Sequence, residues 1–355
     1  MALQTEKISK KSGTRLTKLL GLPYSAFIVV FVFMEYVAKT TLAANGAVSG
    51  VKAKCHSNVS GSGSWSNPNQ AWCLAKNFFL IPVPDLCGRD LEFFTYVNII
   101  IVPLYLMFIN NANRIRPLPK VISYPWVNGL ATLAFLASAF LPLYSIIFIL
   151  GGAAHAVQPS GARRYDYAVN KRVAESIIFA FLIGYVIPTT NFHLNPTPTT
   201  YTWWFWFHPY QSALRMLYQW IMPKTNEIDT KLMKRMWAVF FVMSGLTHLY
   251  FLIVKGPVGL VMMLRPPLIS FTSVPSPTWI LDLFQWDWTI TWVSPTLLLY
   301  TIVEGRKEWV NLLMWMTIGI PLFGPGGFFS AVMLWREIRL TSGLDPKGLG
   351  EGKEK

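Results

Sequence analysis

Met236-Trp237-Ala238-Val239-Phe240-Phe241-Val242-Met243-Ser244-Gly245-Leu246-Thr247-His248-Leu249-Tyr250-Phe251-Leu252-Ile253-Val254 runs without a single Lys, Arg, Asp or Glu. As a helix this stretch rises about 28 Å, close to the roughly 30 Å of hydrocarbon in a bilayer. It has no polar face of the kind that a helix half-buried in a soluble protein presents. Runs of the same character recur on both sides of it, from Pro23 to Leu42, Phe93 to Asn110, Val127 to Leu150, Val173 to Pro188, Tyr201 to Ile221, Trp288 to Val303 and Trp309 to Trp335. A shorter run, Val258 to Phe271, contains Arg265-Pro266-Pro267. Tandem prolines remove backbone donors and push the preceding residue out of the α region, so this piece reads as broken, re-entrant or interfacial. The pattern predicts an all-α protein, a polytopic transmembrane helix bundle of roughly seven to nine helices.

Composition agrees. Of 355 residues, 53% are hydrophobic and 14% charged, against about 25% charged in soluble domains. The 15 Trp and 14 Tyr suit a chain whose aromatic rings collect at membrane interfaces. Lys and Arg exceed Asp and Glu by 31 to 17, a net charge of +14. Clusters such as Lys7, Lys10, Lys11, Arg15, Lys18 and Arg114, Arg116, Lys120 lie between apolar runs, the pattern of membrane-flanking charge rather than of nucleic-acid binding.

Three regions follow. Residues 1–22 are expected to be a cytosolic basic N-terminus, 23–340 the helix bundle and 341–355 a disordered polar tail rich in Gly and charge. The stretch 45–90 is expected to be a lumenal loop. It holds Cys55, Cys73 and Cys87, and the N-glycosylation pattern Asn58-Val59-Ser60, which together fit an oxidising compartment. Counting spans from a cytosolic N-terminus places Arg163, Arg164, Lys171 and Arg172 outside, against the positive-inside tendency. Either a span is miscounted or this loop is an exception. The expected location is a multi-pass membrane protein of the endoplasmic reticulum.

Several chemistries lack their motifs. Gly324-Pro325-Gly326-Gly327 has neither the spacing nor the Lys-Ser/Thr pair of a phosphate loop and reads as a kink or a close helix contact. There is no Asp-rich pair for a metal diphosphate, no His-Glu-x-x-His and no Gly-x-Ser-x-Gly. No cofactor, metal or nucleotide is expected. What remains is a few ionisable groups at membrane depth, which are costly there and functional by default. Asp287 lies in Trp286-Asp287-Trp288, with Trp292 five positions on. A carboxyl desolvated by indoles stays protonated and is suited to donating a proton to an alkene or epoxide, and the ring faces suit a cationic intermediate. The competing reading is a helix cap inside an aromatic belt. Glu92, opening its span, competes with an N-terminal cap. Glu35 competes with an ion pair to Lys39, and His248 with a satisfied packing residue.

The many helices, the Glu-bearing early spans and Trp286-Asp287-Trp288 resemble the fungal integral-membrane terpene cyclases of meroterpenoid biosynthesis, of the ascofuranone- and macrophorin-pathway type. The resemblance implies acid-initiated cyclisation of a prenylated substrate in secondary metabolism, without metal or nucleotide. It implies Asp287 as the essential Asp and Glu92 or Glu35 as the essential Glu, with Trp286, Trp288 and Trp292 against the substrate. The expected partners are that small molecule and the lipid bilayer. The long cysteine-bearing loop departs from the smallest members of the class. A non-catalytic transporter or lipid-binding protein, and an enzyme like the membrane sterol isomerases, are the competing functions.

Overall fold

The computed structural model describes residues 89–114, 127–129, 137–150, 168–195, 197–265 and 306–342, with Leu344 and single positions between 285 and 303. Glu35, Lys39, Asn58, Trp286 and the three cysteines lie outside the described residues. Helices account for nearly all of the rest. They are α1 (Arg89–Ala112), α2 (Ala137–Leu150), α3 (Lys171–Phe181), α4 (Ile187–Leu194), α5 (Pro198–Phe205), α6 (Phe207–Ile221), α7 (Leu232–Leu264) and α8 (Arg306–Thr341). A π-helical turn, Leu182–Val186, joins α3 to α4. Four stretches, Glu92–Ala112, Lys171–Leu194, Leu232–Leu264 and Lys307–Thr341, are long and apolar enough to cross a membrane. The chain is an all-α bundle. Its one described sheet is the two-residue antiparallel pair β1 (Val169–Asn170) and β2 (Ile228–Asp229).

That small sheet fixes one end of the bundle. Arg114, just past α1, bridges to Val169, so the end of α1 and the start of α3 share an end. Lys171 pairs with Glu227 at 2.7 Å, and Arg172 donates to the Met222 carbonyl at the end of α6. Asp229 accepts from the backbone N–H groups of Leu232 and Met233 at 2.7 and 2.8 Å, satisfying donors that the start of α7 leaves open. Arg114 is buried in an ion pair with Glu337 near the end of α8, and Asn110 donates to the same carboxylate at 3.0 Å. Arg114 and Val169 thus lie at one end of the bundle rather than at opposite ends. The sequence count, which made the run Val127 to Leu150 one crossing, had put them at opposite ends.

The opposite end carries the start of α1 and the middle of α7. Glu92 meets Lys255 there at 2.7 Å. Thr95 and His193 hydrogen-bond at 3.2 Å, which brings the end of α4 to the same place. The run Tyr201 to Ile221 is two helices rather than one, divided at Trp206. The core between the ends is aromatic and aliphatic, with Tyr96, Phe108, Tyr144, Trp237, Phe240 and Phe329 almost fully buried.

The two longest helices are not straight. Gly256 in α7 has φ 68° and ψ 166°, and Gly324 in α8 has φ 70° and ψ 168°. This region is accessible essentially only to glycine. Each Gly is followed by Pro, whose fixed φ and missing N–H suit the first position of a new helix. For α8 the consequence is a hairpin. Unbroken, the 31 steps from Glu308 to Arg339 would separate the two residues by about 46 Å. Instead Arg339 Nη2 sits 2.6 Å from Glu308 Oε1. The expected single span Trp309 to Trp335 is thus two antiparallel arms, 306–323 and 325–341, with both outer ends at the Arg114 end. In α7 the second arm is short and stops at Leu264. Arg265, before Pro266, is extended (φ −64°, ψ 120°), as the residue preceding proline prefers.

Candidate active site

The tip of the α8 hairpin enters the bundle between α1 and α7. A Cβ on Gly326 would lie 2.3 Å from the Ile100 carbonyl, and one on Gly324 would lie 2.7 Å from His248 Nδ1. Backbone therefore approaches both helices at distances that no side chain allows. The approach has a chemical reason. In a regular helix the Pro321 carbonyl would accept from the N–H of residue 325, but residue 325 is proline and has none. His248 Nε2 takes that orphaned acceptor at 3.0 Å.

This contact sets the tautomer of a neutral imidazole. A carbonyl only accepts, so Nε2 carries the proton and Nδ1 presents its lone pair. The Tyr96 hydroxyl donates to Nδ1 at 2.7 Å. Phenol and imidazole are both buried. Around them the Tyr96 ring meets Phe251 at 5.4 Å and Trp288 at 5.8 Å, both edge-on. Trp288 then packs on Trp292 at 5.5 Å, and Trp292 on Phe329 at 6.3 Å. Gln285 donates to the Met263 carbonyl at 2.8 Å and so holds the Trp-bearing segment against the second arm of α7.

Beside these rings is a cavity of about 280 Å³, walled by Trp288, Trp292, Leu299, Pro325, Phe328 and Phe329. The Trp292 indole N–H is buried and has no hydrogen-bond partner among the described residues. Asp287, half-buried, belongs to the same segment.

The candidate residues separate into two groups. His248, Trp288 and Trp292 come together through Tyr96, with Asp287 adjoining in sequence. Glu92 lies one turn before Tyr96 on α1 but turns to Lys255, and the two side chains are 40% and 32% exposed. They rim a groove of about 480 Å³ that includes Ile99, Leu246 and Tyr250. His208, at the end of the Trp203 to His208 run, is buried against Tyr105 with ring centroids 4.5 Å apart. Sequence reasoning missed Tyr96; its reading of Gly324-Pro325-Gly326-Gly327 as a kink or a close helix contact agrees with the structure, which shows both, but the reversal of the helix was not foreseen. The signal for the reversal was present: Pro325 stands four residues after Pro321, and the pattern Gly-Pro-x-Gly occurs at both 256–259 and 324–327.

Compared with protein-family models, curated proteins and solved structures, the chain matches none of the three.

Proposed function

We propose that the chain is a multi-pass membrane enzyme that cyclises a prenylated substrate by proton transfer. The observation that carries this reading is the Tyr96–His248 hydrogen bond, set among aromatic walls at the tip of the α8 hairpin. Its neighbour in the sequence of events is Asp287, attached to the same Trp-walled segment. Asp287 protonates a terminal epoxide oxygen or alkene carbon. The cation closes rings as π bonds become carbon–carbon σ bonds, and indole faces stabilise it. Loss of a carbon-bound proton to the Tyr96 oxygen, whose own proton passes to His248 Nδ1, ends the cascade. One proton enters and one leaves, so the product is an isomer of the substrate. Trp288, Trp292 and Phe329 exclude water, which would otherwise trap the cation.

The orientation follows from charge. Arg114, Lys171, Arg172, Lys224, Lys231, Lys234, Arg235 and Arg339 gather at one end of the bundle, and positive-inside bias assigns that end to the cytosol. The start of α1 then faces the lumen, as does the segment 45–90, consistent with residence in the endoplasmic reticulum.

A second reading has its own support. A neutral imidazole anchored at Nε2, with its free lone pair on a hydroxyl, is the arrangement of a general base for an alcohol. Acyl transfer needs that base. The alcohol gives its proton to the Tyr96 oxygen, whose own proton passes to His248, the alcohol oxygen bonds the acyl carbon, and the donor's leaving group departs with the proton. One set of incubations separates the two. Membranes from a heterologous fungus expressing the chain are fed prenylated phenols with and without a terminal epoxide, then again with a fatty acyl thioester. A cyclised isomer of unchanged mass supports cyclisation. A product heavier by one acyl group supports transfer and overturns it.

A further inference from the structure

The two arms of α8 do not close on each other. Between them is a second cavity, of about 470 Å³, walled by Leu312, Trp315, Phe323, Phe328, Val332 and Trp335. Its polar groups are Glu308, Asn311 and Arg339. Glu308 and Arg339 meet where the outer ends of the arms come together. The Arg339 guanidinium also lies 4.4 Å over the Trp335 ring, and its Nη1 is buried without a hydrogen-bond partner among the described residues. A long apolar space with hydrogen-bonding groups confined to one end is complementary to an amphiphile.

The far end of this space adjoins the Trp288 cavity. Phe328 lines both. Its ring packs so closely on the opposite arm that a Cβ on Gly319 would lie 3.1 Å from Phe328 Cδ2. The side chain is therefore a partition between the two cavities, carried by the short stretch that follows the Gly324 turn.

The geometry points to the α8 hairpin as the binding site for a single long hydrocarbon chain, acyl or prenyl, with a hydrogen-bond-accepting head. The head meets Arg339, and the far end of the chain reaches Phe328. Placing the reacting end beyond Phe328, in the Trp288 cavity, rests on the proposed function. The hairpin site itself does not. For a prenylated phenol or phenolic acid, this arrangement keeps the oxygenated head at the Arg339 end and delivers the chain terminus to the acid.

The test uses the purified full-length protein in lipid nanodiscs and a photoreactive fatty acid with a diazirine near its ω end. Peptide mapping by mass spectrometry is expected to place the label within residues 319–332, and unlabelled fatty acid is expected to compete it away. Ala331→Trp, which fills the cavity, should reduce labelling about tenfold. Arg339→Met should reduce labelling by the acid about tenfold, the worth of one charge-assisted hydrogen bond, and leave unchanged the labelling by the same chain ending in a hydrocarbon. Label spread evenly over the exposed faces of α6 and α7, or label that unlabelled fatty acid does not compete, overturns the site. The competition needs no variant, so a misfolded Ala331→Trp does not decide the outcome. Labelling reads the resting protein, so its failure is distinct from a failure to find a cyclised product.

Discussion

Gly256-Pro257-Val258-Gly259 and Gly324-Pro325-Gly326-Gly327 make the same turn. The first glycines differ by 2° in both φ and ψ. In each, a Cβ on the last glycine, Gly259 or Gly327, would stand 3.1 Å from the Cβ of the residue before the first, Lys255 in one and Phe323 in the other. Their surroundings are opposite. A Cβ on Gly256 would have no atom within 4 Å, whereas one on Gly324 would strike His248. The first turn lies beside an exposed ion pair, the second beside the buried Tyr96–His248 pair. One local device thus interrupts a helix in both places, and burial against an imidazole is what sets the second apart.

The comparison is tested first by alanine at the two turn glycines. Gly256→Ala meets only backbone strain, about 1–3 kcal/mol. Gly324→Ala adds overpacking worth about 1–3 kcal/mol more. Thermal midpoints in detergent should therefore fall clearly further for Gly324→Ala, and equal shifts would break the contrast. A second test compares carboxyl groups. Asp287→Asn should lower turnover by about 10²–10⁴-fold with membrane abundance nearly unchanged, because asparagine caps a helix about as well as aspartate. Glu92→Gln should leave turnover within about threefold, since an exposed ion pair contributes about 0–1 kcal/mol. A large loss in Glu92→Gln would move the reaction toward the Gly256 turn. The smallest effect is expected for Lys255→Met, a midpoint shift worth about 1 kcal/mol or less; a larger shift would mean that the groove pair helps hold α1 to α7.

Periodicity and apolar length were enough to find α1 and α7, because a helix surrounded by hydrocarbon or core needs no polar face. They were not enough for α8. Hydropathy does not register direction, and the reversal depends on one glycine at positive φ. Its sequence marks were the Gly-Pro-x-Gly pattern and the opposite charges at Glu308 and Arg339. That Arg114 and Val169 share one end was not legible for the same reason. The aromatic walls Trp288 and Trp292 were legible from their spacing. Tyr96 was not, because its role comes from a partner 152 positions away in the chain. His248 was legible only as an isolated polar group at depth; what gives it meaning is the carbonyl that Pro325 leaves without a donor.

The most direct measurement of the central claim is turnover by Tyr96→Phe, set beside that variant's thermal midpoint. The change removes one oxygen and keeps the ring that packs on Phe251 and Trp288. If the Tyr96–His248 pair moves the proton, turnover on the prenylated substrate should fall by about 10²-fold or more, while the midpoint shifts by no more than the ~1–3 kcal/mol of one lost buried hydrogen bond. Near-normal turnover in Tyr96→Phe would contradict the account and leave His248 as a residue that only satisfies the Pro321 carbonyl.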